Sequence, residues 1–148
     1  NAKVNPPLRT WDDVLAMRAA VKSGVIDCMI TDHAPHAEHE KENPLDMVPN
    51  GISGLDTALT LLWQLVCEGV LTQEDIVRTY TVNPAKRFKL PYNGFEKGDV
   101  ADFFFFDPEI EWTADKESFY SKSANTPFLG RKLRGRVCAA YLGGKKVL

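Results

Sequence analysis

Little in this sequence supports a membrane, a disulfide scaffold or a polyanionic partner. No apolar run approaches the roughly 20 residues needed to span a bilayer. The longest, residues 100–106, is interrupted by Asp102 and is of strand length. Cysteine is scarce: Cys28, Cys67 and Cys138 are far apart, odd in number and without C-x-x-C spacing. That pattern excludes a disulfide framework and a structural zinc knuckle. It predicts free thiols that behave as small buried hydrophobes in a reducing, cytoplasmic compartment. Charge of one sign is lacking too. The formal net charge is −2, so nothing electrostatic predicts a nucleic-acid or membrane partner. Histidine is confined to one short stretch, His33, His36 and His39, and no H-x-H pair occurs.

What is present is globular in character. Apolar residues fill 44% of 148 positions, more than a disordered chain carries and enough for a core. Residues 2–7 predict a short strand running into the rigid Pro6-Pro7 loop. Thr10 then offers a helix N-cap, with Asp12 and Asp13 in the first turn where the helix dipole favours anions. Trp11, Val14, Leu15 and Val21 recur at helical spacing and Gly24 is a stop signal, so an amphipathic helix is expected over 11–23. Residues 25–31 read as a buried strand. Strand, helix, strand is a parallel α/β order.

Asp32, His33 and His36 therefore fall where a buried strand ends, the usual place for chemistry in an α/β barrel. Asp and His are both ligands for a metal such as zinc, and a carboxylate near an activated water serves as a general base. A surface loop whose polar residues only cap the next element is the competing reading. Adjacent strand residues point to opposite faces, which leaves His33 a supporting role beside Asp32. His39, among Glu38, Glu40 and Glu42, reads as a solvated loop histidine, and Arg9 as a loop brace.

Residues 37–50 form a long, charged, Pro-containing loop, a length usually tied to function or disorder. Ser53 and Asp56 predict a near capping box for an apolar helix over 54–68. Thr72 and Asp75 repeat the pattern before a short helix to about residue 80. Asn83-Pro84 reads as an N-cap with proline in the first turn of a last helix. Beyond Leu90 the character changes. Pro91, Asn93, Gly94 and Gly98 are turn residues and 100–106 a strand, its four-phenylalanine run expected to be buried on both faces. Asp107-Pro108 reads as a turn, 136–142 as a strand, and Gly143-Gly144 as a hairpin into 145–148. Asp99 and Asp102 read as turn and strand-edge residues, and Arg131, Lys132, Arg134 and Arg136 as a solvated basic face.

Thr31-Asp32-His33-Ala34-Pro35-His36 closely resembles the motif that ends the last barrel strand of the dihydroorotases. Asn5-Pro6-Pro7-Leu8-Arg9 is similar to that family's segment after the preceding strand. Pro49-Asn50-Gly51-Ile52, leading into Gly54-Leu55, resembles its substrate-facing loop, and Asn83-Pro84-Ala85 its following helix start. Gly98-Asp99-Val100-Ala101-Asp102 and Asn125-Thr126-Pro127-Phe128 resemble its C-terminal β-subdomain. The motifs occur in order over almost the whole chain.

The resemblance implies an α/β fold: the C-terminal part of a metal-dependent-hydrolase (β/α)8 TIM barrel over 1–90, and a small β-sandwich subdomain over 91–148. It implies reversible hydrolysis of L-dihydroorotate to N-carbamoyl-L-aspartate in pyrimidine biosynthesis, by metal-hydroxide attack on the ring amide. Asp32 matches the general acid/base and a metal contact. His36 and Asn5 match groups holding the substrate carboxylate, which a histidine and an amide can both donate to. Asn50 and Gly51 match the loop whose backbone meets the ring's amide edge. The cofactor implied is Zn2+, one ion or two, with most ligands upstream: an H-x-H pair, a bridging carboxylated lysine or acid, and two further histidines. A whole barrel needs about 250 residues, so the expected partner is the missing N-terminal barrel portion. Homodimerisation and association with aspartate transcarbamoylase are compatible with the family.

Two rival readings stand beside this one. Hydantoinases and allantoinases share the barrel and the strand-end aspartate but differ at the position of His36. A non-catalytic dihydroorotase-like scaffold subunit of aspartate transcarbamoylase would keep the fold without the upstream ligands.

Overall fold

The computed structural model describes residues 1–91 and 95–148. The predicted turn residues Asn93 and Gly94 lie outside that set. The elements run α1 (Trp11–Lys22), α2 (Glu38–Lys41), α3 (Leu55–Cys67), α4 (Gln73–Val77), a π-helical turn (Arg78–Val82), α5 (Asn83–Phe88), β1 (Phe103–Thr113), β2 (Lys132–Leu142) and β3 (Lys145–Lys146). Among the described residues no helix is long and apolar enough to cross a membrane.

The helices start where local chemistry starts them. Thr10 and Asp13 form a reciprocal capping box at α1, and Gly24 follows its end in the left-handed region at φ 79°. Thr72 and Asp75 do the same at α4. The expected N-cap at Asn83 does not occur. Val82 and Asn83 are both helical, so α4, the π turn and α5 form one continuous helical run. Asn83 is occupied elsewhere: its Nδ2 donates to the Asp27 carbonyl at 3.0 Å.

Neither predicted N-terminal strand forms. Residues 2–7 and 25–31 are irregular. The 25–31 stretch is tied to the helical run by Met29 N–H donating to the Thr79 carbonyl at 3.2 Å. A strand, however, is a ladder with a neighbour, and among the described residues none pairs with it. Val25 and Ile30 are each 79% exposed, so the segment has the composition of a buried strand without the cover. On α1 the apolar side chains of Trp11, Leu15 and Met17 are exposed as well.

The C-terminal part is a three-stranded antiparallel sheet in the order β1-β2-β3. The expected turn at Asp107-Pro108 is instead an irregularity inside β1. Asp107 pairs with Arg136 and Glu111 with Arg134, so extra residues bulge between them. A bulge accommodates a proline that has no N–H to give. The phenylalanine run is not buried on both faces. Phe104 and Phe105 are exposed, and a second register shift after Phe105 turns Phe106 inward. Cys67 and Cys138 are exposed rather than buried, and all three cysteines are unpaired. The basic stretch is only partly solvated: the Arg136 guanidinium lies 4.7 Å above the Trp112 ring and donates to the Ser118 carbonyl.

Helix α3 meets the sheet at Gly135. A Cβ there would stand 2.4 Å from Phe106 and 2.9 Å from Trp63, whose rings meet edge-on at 5.5 Å. The Gly135 carbonyl accepts from Thr60 Oγ1 at 2.7 Å and Trp112 Nε1 at 3.1 Å. Only a glycine, here at φ 95°, permits this approach.

Asp75 is the best test of the helical run. The hydrogen bond from Arg78 holds its carboxyl below the ordinary carboxylate range, with the Thr72 N–H adding to the effect. A lowered folded-state value stabilises above the unfolded value and is lost as pH falls through the folded one. Asp75→Asn should therefore be about 1 kcal/mol less stable at about pH 7, with the gap closing as pH falls below the ordinary carboxylate range. Urea unfolding across that range measures it; a gap independent of pH would contradict the assignment.

Candidate active site

The site is built where residues 31–36 run beside residues 50–54. His33 and Ile52 form a parallel bridge, and Ala34 N–H donates to the Ile52 carbonyl at 2.9 Å. Gly54 comes so close that a Cβ would stand 3.1 Å from the Thr31 carbonyl. The chain reaches this strip through Asp32, which adopts a left-handed backbone at φ 45°. Aspartate is among the few residues that tolerate that region, at a modest cost.

His33 has a definite job. The first N–H groups of a helix lack intrahelical acceptors, and Gly54, the N-cap of α3, has no side chain to offer. His33 Nδ1 accepts from both Gly54 N–H and Leu55 N–H at 3.2 Å. The neutral ring therefore carries its proton on Nε2. The supporting role expected for His33 is thus a helix cap, and it replaces the box expected from Ser53 and Asp56. Asp56 Oδ1 instead accepts from Tyr120 N–H at 2.7 Å.

His36 is drawn onto the opposite loop, its Nε2 lying 3.0 Å from the Asn50 carbonyl. Gly51 sits beneath it at φ 119°, where a Cβ would stand 2.5 Å from Ala34 Cβ and 3.3 Å from His36 Nε2. His36, Asn50 and Gly51 are therefore brought together. Among the described residues, the side chains of Asp32 and Asn5 make no hydrogen bond or ion pair. Asn5 is near only through the chain, since Gly51 N–H donates to the Lys3 carbonyl at 2.9 Å. Arg9 pairs with Asp13 at 3.5 Å, and His39 is exposed.

Two lysines hold the 42–51 loop in place of secondary structure. Lys3 Nζ donates to the carbonyls of Leu45 at 2.6 Å and Val48 at 2.7 Å. Lys41 Nζ donates to those of Pro49 at 2.8 Å and Gly51 at 2.9 Å. Burial, and then the nearby Lys3 charge, pushes the Lys41 ammonium below the usual lysine range. Sequence reasoning passed over both, because a lysine in a charged loop gives no sign of a backbone clamp. It placed Asn125 in a C-terminal motif but gave it no part in the site, although its carboxamide joins the two loops.

A sequence profile of the amidohydrolase family matches residues 7–147. The chain belongs to the amidohydrolase family. Among curated amidohydrolases it is 47% identical to a dihydroorotase of Geobacter metallireducens, covering 99% of this chain and 35% of the relative. It is 45% identical to a dihydroorotase of Ehrlichia canis, over 97% of this chain and 32% of that one. The chain thus spans about a third of the length of the curated relatives it matches. In three dimensions it resembles an L-hydantoinase (dihydropyrimidinase) from Arthrobacter aurescens, with TM-score 0.89 and 28% identity over 98% of this chain and 34% of that structure.

These residues do not form a metal site by themselves. Among the described residues no group of three or more His, Cys, Asp or Glu side chains is placed to hold an ion. His33 Nδ1 is committed to α3, and His36 Nε2 lies at a carbonyl with its Nδ1 3.8 Å from Glu40 Oε2. Titration of the 148-residue chain with Zn2+ should therefore show no tight stoichiometric binding. A one-to-one tight site would contradict this division of ligands.

Proposed function

We propose that the chain supplies the substrate-facing part of a dihydroorotase. The observation that carries the reading is the meeting of His36 with the Asn50-Gly51 loop beside Asp32, within a chain 47% identical to a dihydroorotase over nearly all its length. On this reading residues 1–90 belong to the C-terminal part of a (β/α)8 barrel and 91–148 to a small β-sandwich subdomain. The bare apolar faces of α1 and of residues 25–30 support it. A groove of about 480 Å³ lined by Met17, Ile26, Met29, Leu61 and Phe128 is what a missing barrel portion would cover. The unpaired cysteines suit a cytoplasmic setting.

Zinc, one ion or two, would be held mainly by ligands outside these residues and would supply the activated water. The chain's own residues bind and move protons. Asp32 accepts the proton of the attacking water and returns it to the leaving ring nitrogen. His36 and Asn5 donate to the substrate carboxylate. The Asn50 and Gly51 backbone meets the amide edge of the ring, where the absence of a side chain on Gly51 leaves room for close approach.

The structural likeness to a hydantoinase favours a second reading, hydrolysis of a ring lacking that carboxylate. The complete protein decides between them. It should turn over dihydroorotate and carbamoyl-aspartate in preference to hydantoins. Asp32→Asn should lower kcat by about 10²–10⁴-fold, and His36→Ala should raise KM for carbamoyl-aspartate by about tenfold with bound zinc unchanged. Preference for a hydantoin, with His36→Ala indifferent, would favour the second reading.

A further inference from the structure

Asn125 is 5% exposed and lies on the connection between β1 and β2, far in sequence from every residue assigned above. Its carboxamide is nevertheless where the two loops of the site meet. Oδ1 accepts from the His36 N–H at 3.0 Å and from Ser53 Oγ at 2.9 Å. Nδ2 donates to the carbonyls of Ala34 at 3.2 Å and Gly51 at 3.3 Å. Two of these partners lie on the 31–36 strip and two on the 50–54 strip. Ser53 N–H adds a bond to the Asn125 carbonyl at 3.0 Å. Ser123 Oγ stands 2.5 Å from the His36 carbonyl and 2.6 Å from Asn125 Oδ1.

We propose that Asn125 is a positioning residue of this active site: its buried carboxamide fixes the His36 loop against the Asn50-Gly51 loop, and so sets where the substrate carboxylate is held. The proposal rests on the dihydroorotase reading for its substrate. The chemistry selects an amide. Two carbonyls face one end and the donors of His36 and Ser53 the other, and a carboxamide presents two N–H donors and an acceptor oxygen on one short side chain. A carboxylate of the same shape would turn an oxygen on the Ala34 and Gly51 carbonyls and push the strips apart. Asn125 does not itself meet the substrate groups assigned to His36 and Gly51; it acts through them.

Kinetics of the complete protein on carbamoyl-aspartate test this. Asn125→Asp should raise KM about tenfold or more, with zinc content unchanged. Placed in a His36→Ala background, the same substitution should raise KM by a smaller factor, about threefold or less, because one of the two groups it positions is gone. Equal fold-changes in both backgrounds would reduce Asn125 to a general structural role and overturn the proposal. If Asn125→Asp does not fold, Ser123→Ala takes its place. It should raise KM about threefold in the parent alone, and an unchanged KM overturns the proposal. A parent without turnover on either substrate would refute the dihydroorotase reading alone. Amide hydrogen exchange at Ala34, His36 and residues 51–53 then decides the positioning role. It should accelerate about tenfold or more in the variant, and unaltered exchange overturns it.

Discussion

The site depends on one contact, the pairing of His33 and Ala34 with Ile52, sealed by the His33 imidazole over the start of α3. It brings a left-handed Asp32, the N-terminus of a well-formed helix and a glycine-bearing loop to one place. Residues 37–51 then leave and return to it. Closing such a loop costs entropy, and an irregular loop leaves its carbonyls to be satisfied by something other than a ladder. Lys3 and Lys41 provide that, each as a point donor serving carbonyls that secondary structure would otherwise bind. The polar and backbone groups around Asp32 are thus committed to architecture, while its carboxylate is not.

The rest of the chain divides between what is sealed and what is bare. The junction of α3 with β2 is sealed, around a glycine that admits Phe106 and Trp63 to the backbone. Trp11, Leu15 and Met17 of helix α1 and Val25 and Ile30 of the 25–31 segment are exposed. Apolar residues in a strand-like run with no ladder indicate a surface that awaits partners. That agrees with a chain that spans about a third of its curated relatives. On the proposed reading these residues form one side of an amidohydrolase centre, and zinc would be held mainly by ligands outside them.

What was legible in the sequence was local. The N-cap at Thr10 and the box at Thr72/Asp75 were readable because a cap lies within one turn of the groups it binds. The apolar length of α3 was readable from composition, and the 31–36 motif from its resemblance to a family. The strands over 2–7 and 25–31 did not form, because a strand is a property of two segments and no described segment forms a ladder with either. The Pro108 bulge was misread because a proline looks like a turn until a partner strand carries the chain past it. The contacts of Lys3 and Asn125 were invisible for a related reason. The first reaches carbonyls more than 40 residues away, and Asn125 reaches residues more than 70 away. Nothing in their neighbours announces such contacts. His33 stands between these cases: its supporting role followed from strand alternation, but the helix it caps did not.

The central claim is that Asp32, His36 and the Asn50-Gly51 loop line one catalytic centre. A crystal structure of the complete protein with dihydroorotate bound tests it most directly. The account predicts the ligand carboxylate within hydrogen-bond distance of His36 and Asn5, its amide edge against the backbone of residues 50–51, and the Asp32 carboxylate at the scissile amide. A ligand seated away from the 32–51 strip, or held there with Asp32 out of reach of the amide, would contradict it.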